Sequence, residues 1–172
     1  MVKKREMAAF HRERILRAAT ALFAQKGLEN TTVDEIARQA DYSKATLYVY
    51  FRSKEEIYRS IQRDAMARME GEMERIASKE ENPLRQYWLI CESIAVYAKG
   101  EPFALASMLE TIPWDEKSRQ ASPLLEEIYQ IGERSIGHIQ RMVERGTAQG
   151  LFREEIAGQP VGMLYWGMLS GR

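Results

Sequence analysis

One cysteine, two histidines and five prolines are all that 172 residues provide of those types. The lone Cys91 excludes an intrachain disulfide framework and fits a reducing, cytoplasmic setting. The histidines, His11 and His138, stand three residues after Ala8 and Ser135, so neither completes the Glu-x-x-His pairs of a di-iron carboxylate bundle. No P-loop, nucleophile elbow or zinc-ligand spacing occurs either. Enzymatic activity is therefore not expected, nor is a cofactor or a metal. No apolar run reaches about 18 residues, which argues against a membrane span. The opening MVKKREMAAFHRERIL is charged and helix-like, so no signal peptide is expected. Sustained alternation of β-branched residues is missing, as are Asn-Gly and Asp-Gly hairpin turns, which excludes a sheet-based fold.

What remains is a chain that is 45% hydrophobic, with 25 basic and 25 acidic side chains. It can bury a real core, as one domain or as a small module joined to a larger one. Net charge is zero but unevenly placed. Residues 1–54 hold 11 Lys/Arg against 6 Asp/Glu, and the rest holds 14 against 19. A basic front and an acidic back suit one face for nucleic acid and one that avoids it; chance asymmetry on a solvated surface is the plainer explanation.

The periodicity predicts helices throughout. The first covers about residues 6–26, with Ile15, Ala19, Leu22 and Phe23 on one face and Gly27 as its left-handed stop. A second starts after Thr32 and presents Val33, Ile36, Ala37 and Ala40; a third covers about residues 44–50. The fourth runs from Ser53 to about Ser78. A fifth, about residues 84–99, is apolar nearly all round, the pattern of a helix central in a bundle. A short helix over about 102–112 and a loop PWDEKSRQAS follow. Ser122-Pro123 then opens a long helix that Gly150 stops, and Gln159-Pro160 starts another that reaches the last residue. The expected domains are residues 1–53 and residues 54–172, with the fourth helix leading from the first into the second.

Residues 32–56, TVDEIARQADYSKATLYVYFRSKEE, are the most telling. Thr32 with Glu35 and Ser53 with Glu56 read as capping boxes, with Ser43 as an N-cap between them. The helix after Ser43 is short and begins with polar and basic side chains. Such a helix suits insertion of its N-terminal end into a DNA major groove while neighbouring residues grip phosphates.

The run ILRAATALFAQKGLENTTVDEIARQADYSKATLYVYFRSKEEIY resembles the DNA-binding domain of the tetracycline-repressor (TetR) family of bacterial transcription regulators, AcrR-like members included. The resemblance rests on Phe-x-x-x-Gly closing the first helix, Thr-Thr-Val and Ile-Ala-x-x-Ala around the second, and Ser-x-x-Thr-Leu-Tyr-x-Tyr-Phe with Ser-Lys-Glu-Glu after it. It covers just under a third of the chain. One departure is Asp41-Tyr42, where the family usually has Gly and a small apolar residue. Asp tolerates a left-handed turn; Tyr42 either fills the module's core or points to the DNA backbone.

The resemblance implies an all-α fold: a three-helix, homeodomain-like helix-turn-helix domain, then a helical effector-binding and dimerisation bundle. It implies phosphate contacts from Thr32, Tyr48, Tyr50 and Lys54, and base-edge contacts from Ser43, Lys44, Ala45 and Tyr48, with Thr46 in the same DNA-binding set. Lys44 is the best reader of guanine O6 and N7, worth about 1–3 kcal/mol of discrimination, and Ala45 can meet a thymine methyl. The arm Lys3, Lys4 and Arg5 either tracks the backbone or is idle. Thr32, Ser43 and Ser53 serve as caps on the plainer reading, and Leu47 and Phe51 as core. The implied partners are pseudo-palindromic double-stranded operator DNA, a small effector and a second copy of the chain, with no membrane.

In the back half, Trp88, Cys91, Phe103, Met108, Trp114 and Tyr129 are candidates to line a hydrophobic effector cavity, with Glu92, Ser93 and Glu110 as polar groups. Ordinary core is the plainer reading of such a stripe. Cys91 has no basic neighbour that would make it a redox switch. The family pairs subunits through its last two helices, whereas this chain stops inside the helix begun at Pro160. Either the chain is truncated at its C-terminus or the dimer contact is abbreviated, with the long helix and Leu164, Tyr165, Trp166, Met168 and Leu169 as the available surface. The leading expectation is a ligand-responsive regulator, more often a repressor than an activator in this family. The alternative is a protein-interaction or small-molecule-binding helical module that has lost DNA binding.

Overall fold

The computed structural model describes residues 2–110, 112, 115–156 and 159–161, with side chains from Arg5 onward. Among them it contains helices and no strand. The helices are α1 (Val2–Lys26), α2 (Val33–Gln39), α3 (Lys44–Tyr50), α4 (Lys54–Lys79), α5 (Pro83–Gly100), α6 (Pro102–Met108), α7 (Glu116–Ala121) and α8 (Pro123–Ala148). A single 3-10 turn follows at Glu154–Ile156. The chain divides into two compact units, residues 1–62 and 63–172. No described helix is long and apolar enough to cross a membrane.

In the first unit α1 ends at Gly27, whose φ of 81° no β-carbon opposes. The carbonyls left open there are taken up locally. The Thr31 hydroxyl donates to the Gly27 carbonyl at 2.7 Å and the Asn30 amide to that of Lys26 at 3.0 Å. The core gathers Ile15, Ala19 and Phe23 of α1, Ile36 and Ala37 of α2, and Leu47 and Phe51 from α3 and its end. Ile57, Tyr58 and Ile61 from the first turns of α4 complete it, the Tyr58 ring meeting Phe23 edge-on at 5.9 Å. Each such large apolar side chain, fully buried, contributes about 1.5–3 kcal/mol. That requirement for burial carries the unit past the start of α4.

The second unit is built on α8 and the later turns of α4. Met66, Met69, Met73 and Ile76 form the α4 stripe, and Ile128, Ile131, Ile139, Met142 and Val143 the α8 stripe, with Ile90, Ala104 and Met108 in the same cluster. Ser122 caps α8, Pro123 supplies its first turn, and Gly150 follows it with a φ of 70°. Buried Gln86 is satisfied by donating to the Glu80 carbonyl and accepting from Arg145 at 2.7 Å.

Four expectations need correction. α1 begins at Val2, not near Glu6, because residues 2–9 contain no breaker and are mostly good helix formers. α6 is shorter than expected, ending at Met108. The stretch expected as a loop holds α7, nucleated by Asp115, whose carboxylate accepts from the Ser118 amide at 2.9 Å. Lastly, α5 is not a central helix. It buries Pro83, Gln86 and Ile90, while Trp88 and Val96 stand 64% and 65% exposed. An apolar circumference shows that a helix can be buried; it does not say which side is.

Candidate nucleic-acid interface

The interface is built by α2, the turn after it and α3. Thr32 caps α2 with its hydroxyl accepting from the Glu35 amide at 3.3 Å, and the Glu35 carboxylate returns a bond from the Thr32 amide at 2.9 Å. The other Glu35 oxygen meets Lys26 Nζ at 2.5 Å. The Lys26 ammonium first, then Thr32, holds the Glu35 carboxyl at about 2, far below its ordinary value of 4.5. The α2 end therefore presents Thr32 exposed but already engaged in its own box.

The turn depends on α1. Asp41 has a φ of 57°, the left-handed geometry that a glycine would otherwise supply. Arg14 donates to the Ala40 carbonyl at 2.9 Å and to the Asp41 carboxylate at 3.0 Å, tying the end of α2 to α1. Tyr42 is half-buried against α1, its hydroxyl 2.6 Å from His11 Nδ1 and its ring 5.1 Å from the Arg14 guanidinium. The larger residue in the turn thus has a place on α1.

Ser43 caps α3, accepting from the Thr46 amide at 3.0 Å, and the two hydroxyls lie 2.8 Å apart. The helix then sorts its side chains cleanly. Leu47 and Phe51 are buried; Ser43, Lys44, Ala45, Tyr48 and Val49 are exposed. Thr46, Tyr50 and Lys54 are half-buried. Lys44 Nζ lies 2.8 Å from the Asp34 carboxylate of α2, which raises the lysine's pKa. Lys54 Nζ donates to the Leu28 carbonyl at 2.7 Å, past the end of α1. At the far end of α3, Arg12 donates to the Tyr50 carbonyl at 2.7 Å with its guanidinium 4.2 Å from the Phe51 ring centroid.

The eight residues nominated from the sequence thus fall on two helix starts and one short helix, five of them exposed. Sequence reasoning missed Val49, 77% exposed on α3, and the three α1 side chains His11, Arg12 and Arg14 that hold the turn and α3. Their i, i+1 and i+3 spacing off the apolar face of α1 was the only available signal. Ser53 caps α4 as expected, but Glu56 accepts from the Arg52 amide at 2.6 Å.

Residues 15–61 match the family described as bacterial regulatory proteins, tetR family. That segment is a TetR-family DNA-binding domain. Its similarity to an uncharacterised helix-turn-helix transcriptional regulator of Bacillus subtilis, YhgD, extends over 152 residues at 28% identity, 86% of this chain and 74% of that one. Against IcaR, a negative regulator of a biofilm operon in Staphylococcus epidermidis, identity rises to 42% but over 48 residues, 28% of this chain and 26% of IcaR. Among solved structures, the TetR-family regulator PfmR of Thermus thermophilus superposes with a TM-score of 0.73 at 28% identity, covering 92% of this chain and 83% of PfmR. AibR, solved with isovaleryl coenzyme A and operator DNA, shares the fold with a TM-score of 0.72 at 21% identity, covering 93% and 84%. With that domain the chain is a DNA-binding transcriptional regulator, a helix-turn-helix followed by a helical domain.

The residues nominated for an effector site are scattered. Met108 is buried in the core, Cys91, Phe103 and Tyr129 are half-buried, Trp88 and Glu92 are exposed, and Trp114 lies outside the described residues. A cleft of about 780 Å³ opens instead between α5, α8 and residues 153–156 and 159–161. Tyr87, Ile90, Ile139, Met142, Val143, Ile156 and Val161 line it, with Arg153, Glu155 and Gln159 as polar groups. None of the eight described nominees lines this cleft; Glu92 and Ser93 border a smaller one of about 400 Å³. The nominated α5 residues, Trp88 and Cys91, each sit one position after a lining residue. On a helix that step is a rotation of about 100°, enough to leave the cleft.

Proposed function

We propose that this regulator is a homodimeric repressor that grips a pseudo-palindromic operator through α3 and releases it when a small hydrophobic molecule binds residues 63–172. The observation that carries the reading is the division of α3 into a buried Leu47–Phe51 side and an exposed side bearing Ser43, Lys44, Ala45 and Tyr48. Lys44 and Ala45 are the base readers; Thr32, Tyr48, Tyr50 and Lys54 face phosphates, with Thr46 bracing Ser43. Repression is supported by the likeness to the negative regulator IcaR, and a ligand response by the fold shared with the isovaleryl-coenzyme-A-bound AibR.

The apolar cleft between α5 and α8 suits a hydrophobic effector: its volume falls within the range of about 300–1,000 Å³ usual for small-molecule pockets, and it offers few polar groups. α4 contributes residues to both units, and through it an effector changes the separation of two recognition helices. A role on DNA is consistent with a cytoplasmic protein.

Selection of bound duplexes from a random pool, followed by the K44A/Y48A double variant, tests the DNA half. Specific binding should vanish while the helical circular dichroism stays unchanged; binding that persists would remove α3 as the reader. A thermal-shift screen tests the effector half, and a response to small, highly polar metabolites alone would overturn it.

A further inference from the structure

The ammonium of Lys44 is not loose in solvent. It lies 2.8 Å from the Asp34 carboxylate, with the two side chains 51% and 56% exposed. The pair spans ten positions and two helices, linking the first turn of α2 to the first residue of α3. The neighbouring acid, Glu35, is already committed to Lys26 and Thr32, which leaves Asp34 as the carboxylate that meets the α3 lysine. An exposed pair of this kind adds little to folding, so the geometry has to be explained by something else.

The geometry points to Asp34 as the residue that sets how strongly this module prefers its operator to other DNA, by directing Lys44 toward base edges and away from phosphates. The inference rests on the reading of α3 as the base-reading helix. A lysine ammonium has three donors. One can stay on Asp34 while the others reach acceptors such as guanine O6 and N7. An untethered lysine is a flexible point charge that satisfies itself on any phosphate, which adds affinity without information. Asp34 also carries a negative charge beside the groove, which penalises every duplex alike and is offset only where Lys44 finds its base. Both effects raise the ratio of specific to non-specific binding.

The experiment compares affinities for the selected operator and for a scrambled duplex across a salt series. It uses the full chain as wild type, D34N, D34E, K44A and D34N/K44A. D34N should tighten scrambled binding by about three- to tenfold, gain less on the operator, and steepen the salt dependence by about one unit of slope as Lys44 becomes free for a phosphate. D34E should restore the wild-type ratio, since it returns the carboxylate, and D34N should lose most of its effect when Lys44 is already Ala. A ratio in D34N equal to or above wild type overturns the inference, as does an equal fall with Lys44 absent. Should the wild type bind no duplex at all, the DNA-reading role falls first and takes this inference with it. If the wild type selects an operator while D34N behaves identically, only the role of Asp34 is lost.

Discussion

Arg14 reaches from α1 to within 3.0 Å of Asp41, the one described non-glycine residue with a positive φ. The turn between α2 and α3 thereby combines a left-handed backbone with an anchor on a third helix. A glycine would satisfy only the first of these needs, and a β-branched residue neither.

D41G should therefore stay within about 0.5 kcal/mol of wild type, since the Asp41 carboxylate is largely exposed and its ion pair is weak. D41V should cost about 1–2 kcal/mol, the penalty of a left-handed conformation for an ordinary side chain. Urea-denaturation midpoints of the two variants check the order.

Leu47 and Tyr48 are neighbours with opposite duties, one fully buried and the other 46% exposed. L47A should lose about 2–5 kcal/mol of stability through the cavity it leaves. Y48A should leave the melting temperature within a degree or so and weaken DNA binding, because a surface substitution away from packing costs within about 0.5 kcal/mol. Paired melting curves and gel shifts separate the two; a destabilised Y48A would place the tyrosine in the fold and not at the interface.

Glu35 gives the capping box a pH dependence. Its carboxyl is held at about 2 in the folded chain against 4.5 ordinarily, so the unfolded chain binds the extra proton first. The stabilisation is complete above 4.5 and is lost as pH falls from there toward about 2. E35Q should lower the melting temperature at neutral pH, with the difference from wild type closing through that window. Parallel curves down to the acid limit would contradict the Lys26–Glu35 pairing.

Gly146 lies buried in α8 with the Phe152 ring packed where a β-carbon would project. The same turn folds back onto it, with the Leu151 and Phe152 amides donating to the Gly146 carbonyl at 2.8 and 3.2 Å. G146A must displace the ring, an overpacking cost of about 1–3 kcal/mol, even though alanine favours a helix. G137A is the control, since a β-carbon there meets only the movable Arg141 side chain. Calorimetry should show a loss for G146A well beyond that for G137A.

Much of the candidate DNA interface was legible because its signals are local. Thr32, Ser43 and Ser53 cap helices through bonds reaching only three residues along the chain, and Gly27 and Asp41 mark left-handed positions by residue type. Such bonds follow from the identity of two nearby side chains and the geometry of one turn. The short α7 escaped notice because its six residues have no buried side and hence no periodicity to read.

The effector region was legible only as composition. Apolar side chains lie all round α5, and its pattern alone gives no reason for Ile90 to turn inward while Trp88 and Val96 remain exposed.

The amino-acid order thus determined by itself where α1 stops and where α2 and α3 lie, and that α3 would carry a polar leading end over an apolar inner edge. Those properties depend on neighbours within about one turn of chain. The tertiary structure alone decided that Asp34 holds Lys44, that His11 receives Tyr42, and which side of α5 meets Met142 and Val143. Pairings between helices depend on the distances and rotations at which separate segments pack. Periodicity along a single segment records which side chains are apolar, but not the partner each one finds.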